Sequence, residues 1–306
     1  MSRREGWLRL LPRRLRHALV RRHAAFDPAV LEGVTLEVAH SAAAYRAAFG
    51  LVHDCYVERG WITRQPSGMW LTPQHTLPHS TVFVMRRGQE ALGTVSVTQD
   101  SAAKLPIDLT YPEQTQQLRG VCKQLAEIGA LAVAKPARHN GLVMALMATM
   151  WRYAWKELGI TDILAAVDPR VADYYAALFS FRIFGPVRNY AGFGEAHRQE
   201  DDPIIGLHQN FDMALEEGVW MWASAPASRF TVYSLVNEAF PAPRECLPPS
   251  LDALALARYK LPRELLAELV RDTELRERLD TPTSHELLRK RSRQTMELLQ
   301  VQNLVG

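Results

Sequence analysis

The sequence predicts an α/β fold in which a central mixed sheet carries helices on its faces, followed by an additional, mostly helical C-terminal region. Three observations carry this. Runs rich in Val and Thr alternate with helix-period runs between residues 31 and 213. An apolar run broken at Gly129 leads through a basic turn into the apolar stretch that opens at Leu142. Beyond about residue 214 the character changes, with Pro226, Pro241, Pro243, Pro248 and Pro249 punctuating short apolar pieces. The expected organisation is a basic N-terminal arm (1–30), an α/β domain (31–213) and a helical region of unassigned role (214–306). Strands and helices in alternation predict a sheet that is largely parallel.

The elements follow in order. Leu31 to Val38 reads as a first strand. Ser41 to Tyr56 reads as a helix capped by Ser41, with Tyr45, Phe49, Val52 and Tyr56 at helical spacing. Residues 61–80 carry Pro66, Gly68, Pro73 and Pro78 among aromatic and polar residues, which predicts a long loop of the kind that often holds function. Thr81 to Met85 and Ala91 to Gln99 flank a turn at Gly88 and form a hairpin. Ala102 to Arg119 is a polar excursion. Cys122 to Val133 is a strand with a bulge or splay at Gly129. Leu142 to Leu158 is an apolar helix ended by Gly159. Thr161 to Val167 is the next strand, Pro169 to Phe179 a helix, and Phe181 to Val187 leads into irregular sheet closed by Gly206 to Phe211. In the C-terminal region one helix follows Pro262, and a second opens on the capping-box pattern of Thr283 and Glu286.

The chain has 306 residues, 47% apolar and 23% charged, an ordinary globular balance that suits about two domains. Its net charge of +3 hides a polarity: residues 1–22 hold eight arginines against Glu5, a segment of +7 that leaves −4 for the remainder. Trp7 to Val20 interleaves leucines with arginines as an interfacial amphipathic helix would, interrupted by Pro12. The arm is either a solvated basic tail or a docking helix. It suits an acidic carrier protein or anionic lipid better than nucleic acid. Further arginines follow the first charges, so a secretory signal is not expected. No apolar run reaches the length of a membrane span. Cys55, Cys122 and Cys246 are isolated and odd in number, which fits free thiols in a reducing compartment. A cytoplasmic protein is expected, with the inner membrane face as one of the surfaces open to its arm.

The chemistry concentrates in residues 126–143, AEIGALAVAKPARHNGLV. Glu127 is a carboxylate in an apolar strand, where it is either an ion-pair partner or a base. Lys135, Arg138, Asn140 and Gly141 precede the helix starting at Leu142, whose N-terminal amides and dipole favour a phosphate. In the long loop, Trp61, Arg64 and Trp70 could close over a bound substrate as an aromatic lid, with Arg64 able to pair a carboxylate. His75 and His79 lie four apart, but Pro73 and Pro78 argue against a helix presenting them to a metal, so no metal is expected.

This strand-turn-helix order, followed by DILAAVDPRVADYYAALFSFRIFGP (162–186), resembles the acyl-thioester-binding half of a GNAT fold. Upstream, LVHDCYVERGWI (51–62), TPQHTLPHSTVFV (72–84) and ALGTVSVTQDSAAKLPIDLTYPE (91–113) resemble the N-acyl amino acid synthase family, which is related to the acyl-homoserine lactone synthases. The resemblance covers about residues 34–213.

It implies a GNAT-like acyltransferase that moves a fatty acyl group from acyl-phosphopantetheine to the amine of an amino acid. The donor implied is acyl carrier protein, with acyl-CoA as the other form. No tightly bound cofactor is implied. Leu131, Ala132 and Val133 would lie along the thioester, a backbone N–H of the splay facing its carbonyl. Glu127 would deprotonate the acceptor. Tyr175, with Tyr174 as the second choice, would protonate the departing thiolate. The family's Ser-Arg after the strand carboxylate is Gly129-Ala130 here. Two other readings remain open: a noncatalytic acyl-thioester or carrier-protein binding module, and an acyl-homoserine lactone synthase-like enzyme.

Overall fold

The computed structural model describes residues 11–23, 31–77, 79–138, 141–191, 203–224 and Leu265. The start of the arm, His139, Asn140, Cys246 and, apart from Leu265, both expected C-terminal helices lie outside the described residues.

The elements are α1 (Arg13–His23), β1 (Thr35–Val38), α2 (Ala42–Glu58), β2 (Ser80–Arg87), β3 (Glu90–Gln99), α3 (Pro112–Arg119), β4 (Leu125–Val133), α4 (Leu142–Lys156), β5 (Asp162–Val167), α5 (Ala172–Phe179), β6 (Arg182–Ile183), β7 (Arg188–Asn189), β8 (Pro203–Asn210) and α6 (Phe211–Ser224). Among the described residues the strands make one sheet in the order β1-β2-β3-β4-β5-β8-β6, with β7 also paired to β8.

The sheet is mixed but not largely parallel. Among the described residues only β4 and β5 run parallel, and every other pairing is antiparallel. A parallel neighbour needs a crossover, and α4 between β4 and β5 is the one helix that supplies it to adjacent strands. Elsewhere the chain turns back directly: β2 and β3 join at Gly88, which takes φ 60, and β8 returns beside β5. The first strand is shorter than expected because a turn with Gly33 at φ 66 occupies residues 31–33.

Helix α2 starts where the sequence puts its cap, with the Ala44 N–H donating to Ser41 Oγ at 3.2 Å. It packs over β2, β3 and β4 on one sheet face, burying Tyr45, Phe49 and Val52. On the other face α4 buries Met147, Trp151 and Tyr153. The polar excursion contains a helix the sequence does not reveal, α3, with Pro112 at its first turn. Leu118 is its only large apolar residue, so no periodic stripe marks it.

The arm is not wholly a solvated tail. Helix α1 begins just after Pro12 and docks on α5, where Arg16 Nε lies 2.9 Å from Asp173 Oδ2 and Arg21 Nη1 donates to the Ala177 carbonyl at 3.3 Å. Val20 enters the main core. At the other end α6 continues from β8 across residues 213 and 214, and Phe211 packs at a tilt against Trp151, 4.2 Å between ring centroids. Leu265 is fully buried among α2 and β2 residues including Tyr45, Phe49 and Val84.

Candidate active site

Strand β4 sets the site. Its pairing with β5 stops at Ile128 opposite Ala165, although both strands continue, so the two part from Gly129 onward. On its other edge β4 gains a residue against β3: Ser96 pairs with Gly129 and Thr94 with Ala132. That is a β-bulge, and Ala130 absorbs it at φ 49. The sequence locates the irregularity at Gly129; the left-handed residue is its neighbour. The inserted residue reverses the side-chain alternation. Ala126, Ile128, Leu131 and Val133 pack towards α4, while Ala130 and Ala132 pack under α2. Leu131 and Val133 therefore spend their side chains on the core, and what they can offer a thioester is backbone.

Glu127 sits opposite Thr98 on β3 and Leu164 on β5, and is 4% exposed. Its Oε2 accepts the Ile107 N–H at 2.7 Å, its one hydrogen bond among the described residues. Burial pushes the carboxyl up to about 8; the Ile107 bond pulls the other way and the Asp108 charge adds to the rise. A carboxyl tuned close to neutrality suits proton exchange with an amine.

The Ile107 N–H is aimed by a relay. Residues Pro106–Leu109 form a 3-10 turn, and Asp108 Oδ2 accepts the Leu105 N–H at 2.7 Å. Arg119 on α3 donates to Asp108 Oδ1 at 2.6 Å and through Nε and Nη2 to Asp100 at 2.7 and 2.8 Å. The helix invisible in the sequence thus anchors the turn that meets the carboxyl.

Tyr175 on α5 is half-buried, edge-on to Phe179 and Phe181, and burial pushes its hydroxyl up to about 12. It stays protonated and can donate. Tyr174 lies at the exposed edge. Two tyrosines missed by the sequence reading join the group. Tyr56 is raised by burial and lies within electrostatic reach of both Glu127 and Tyr175; Tyr190 is raised by burial and by the charges of Glu127 and Tyr56. Tyr56 falls on the apolar stripe of α2 and so reads as core; only its electrostatic reach to both candidates marks it.

Trp61 and Trp70 hold Tyr56 between them, at 5.1 and 4.9 Å between ring centroids, and Trp70 is buried as a packed anchor. Arg64 is exposed, with no ion pair or hydrogen bond among the described residues. The guanidinium near the tyrosines is instead Arg59, stacked 4.9 Å over Trp61 and close enough to bias Tyr56 and Tyr175 electrostatically.

At the mouth, Gly141 takes φ 84 and opens the 15-residue helix α4 at Leu142. Arg138 donates to Glu58 Oε2 at 2.6 Å and from Nε to the Val133 carbonyl at 3.0 Å, and Lys135 Nζ lies 3.5 Å from Glu58 Oε1. Both cations face the end of α2.

Among the described residues, Cys122, Asp162 and His208 bring potential metal-ligand atoms within 4.8 Å of one another. Asp162 there already accepts from His208 at 2.9 Å, Asn210 at 3.1 Å and Thr161 at 2.7 Å. Its carboxylate is saturated by protein donors that tie β5 to β8.

The mixed sheet with helices on both faces is GNAT-like in architecture. The family model described as N-acyl amino acid synthase FeeM matches residues 47–197, so over that span the chain is similar to this family. Among solved structures, FeeM, an N-acyl amino acid synthase from uncultured soil microbes, is 21% identical with a TM-score of 0.49, covering 58% of this chain and 90% of its own. BjaI, a CoA-dependent acyl-homoserine lactone synthase solved with SAM and isopentyl-CoA, is 17% identical with a TM-score of 0.49, covering 73% and 98%. Escherichia coli ElaA is 13% identical with a TM-score of 0.42, covering 58% and 99%. No curated protein matches the chain.

Proposed function

We propose that the protein transfers a fatty acyl group from acyl carrier protein to the amine of an amino acid, with Glu127 as base and Tyr175 as acid. The observation that carries this is a buried carboxyl, tuned to about 8, on the strand that parts from its parallel neighbour two residues later. An α-amino group has a free pKa of about 8, so at neutral pH the acceptor arrives mostly as ammonium. Ionised Glu127 takes one proton from it. The freed nitrogen attacks the thioester carbonyl carbon, the C–N bond forms and the C–S bond breaks. The thiolate takes a proton from Tyr175, which recovers one from the nitrogen through solvent. No covalent enzyme intermediate is involved.

The donor's phosphate is assigned to Lys135, Arg138, Asn140 and Gly141 at the head of α4, and its thioester to the backbone of 131–133. Trp61 and Trp70 shape the acceptor side; the exposed Arg64 reaches the acceptor carboxylate only if its loop closes. The reaction is placed in the cytoplasm, where the carrier protein is, and the exposed arginines of the arm supply contact with an acidic partner or membrane face. Among the described residues no helix is long and apolar enough to cross a membrane.

Intact-mass detection of products after incubation with acyl carrier proteins, acyl-CoA and mixed amino acids tests the proposal. An N-acyl amino acid supports it and names both substrates. Unchanged thioester points to a binding module, and consumption of S-adenosylmethionine to a lactone synthase-type reaction.

A further inference from the structure

His75 and Ser96 form a buried pair beside the opening at Gly129, outside the machinery assigned above. His75 is 4% exposed and Ser96 1%. The histidine's tautomer is set by its neighbours: Nδ1 accepts the Thr72 N–H at 2.9 Å and lies 3.0 Å from Thr72 Oγ1, so the ring proton sits on Nε2. Burial holds the imidazole down at about 4, against the opposing pull of Thr72, which keeps it neutral. Nε2 then donates to Ser96 Oγ at 2.8 Å.

A hydroxyl that accepts from histidine still carries a proton of its own. Among the described residues Ser96 has no other hydrogen bond, so that proton has no acceptor. Buried donors are rarely left so, and one that is points to an acceptor arriving from outside the protein. The surroundings say where. Ser96 pairs with Gly129 across β3 and β4, and a Cβ built on Gly129 would meet a single atom within 4 Å, Ser96 Oγ at 3.7 Å. The space over the glycine is open and the hydroxyl borders it. Thr98, two residues along β3 on the same face, is opposite Glu127, which puts Ser96 about 7 Å along the strand from the base, on the side where β4 and β5 part.

We propose that the Ser96 hydroxyl donates a hydrogen bond to the carbonyl oxygen of the bound acyl thioester, with His75 as the positioning residue that turns its proton outward. This rests on the acyl-transfer reading. As nitrogen bonds to the carbonyl carbon, that oxygen gains charge, and it gives the charge back when the C–S bond breaks; the serine keeps its proton throughout. A pre-aimed donor at such an oxygen is worth roughly a hundred-fold in rate. With Gly129 bearing no side chain, β3 supplies the polar group that β4 lacks at this point.

Steady-state kinetics with amino acid acceptor and acyl thioester, on wild type, Ser96→Ala, Ser96→Cys, His75→Gln and His75→Leu, test this. Ser96→Ala and Ser96→Cys should lose about a hundred-fold in kcat while KM for the acceptor stays within about three-fold. His75→Gln, whose amide N–H can still reach the hydroxyl, should lose less than His75→Leu. If Ser96→Ala folds poorly, Ser96→Cys, which keeps the packing and donates weakly, decides by the same criterion. A kcat within about three-fold of wild type overturns the proposal, as does a raised acceptor KM at unchanged kcat, which would make Ser96 an acceptor contact. Wild type without N-acyl product overturns the acyl-transfer reading itself; an active wild type matched by its Ser96 variants overturns only this inference.

Discussion

The backbone nitrogen of Ile107 lies 2.7 Å from Glu127 Oε2, and among the described residues that bond is the only polar support of a carboxyl buried under α2. One donor does not offset the loss of water, so the folded protein favours the neutral form up to about 8.

A stability consequence follows. The pKa of Glu127 is raised on folding, from 4.5 to about 8, so the folded state holds a proton that the unfolded chain gives up. Its contribution is fully present below 4.5 and is lost as pH rises to about 8. Glu127→Gln should therefore melt higher than wild type by a margin that grows between those limits and then levels, on the order of a few kcal/mol. Thermal melts across pH check this; a margin independent of pH would contradict it.

Arg119 braces the turn that meets the Glu127 carboxyl. Arg119→Met removes the ties to Asp100 and Asp108 and loosens the turn that carries the Ile107 N–H. Roughly 2 kcal/mol of stability should go, below the value for a fully buried pair because the arginine is partly exposed. Losing the Ile107 bond and unpairing Asp108 both favour the protonated carboxyl, so the pH–rate limb should move to higher pH. Denaturant melts and a pH profile measure the two effects separately.

The order of elements is legible in the sequence because α2, α4 and the hairpin each carry a local pattern. The strand directions are not: β8 pairs with β5 across more than thirty residues, and nothing local says which way it returns. The glycine in a β4-like run marks the bulge, although the strain falls on Ala130. Glu127 stands out as a carboxylate in an apolar run, whereas Tyr175 is a candidate through the family resemblance alone. Tyr56, Ser96 and Ile107 do not, since what each can do depends on β3–β4 register and on a turn anchored by α3, all contacts distant in sequence.

Tyr175→Phe tests the proton donor. The ring should keep its edge contacts with Phe179 and Phe181, leaving melting nearly unchanged, while kcat falls about ten- to a hundred-fold. Full activity in this variant would transfer the role to Tyr56.

Glu58 occupies the cations assigned to the donor's phosphate. Glu58→Gln should free Arg138 and Lys135 and lower KM for the acyl thioester several-fold at low salt, an effect that salt screens. Initial rates at varied donor and ionic strength measure it. An unchanged or higher KM would place the phosphate elsewhere.

The central claim, that ionised Glu127 accepts the acceptor's proton, is tested most directly by the pH dependence of kcat/KM for N-acyl product in wild type and Glu127→Gln. In wild type the rate should rise with pH and level beyond about 8, as Glu127 and the amine lose their protons. Glu127→Gln should be about a hundred-fold slower or worse, its remaining pH dependence following the amine alone. A Gln variant that keeps the wild-type rate and the wild-type profile would contradict the assignment.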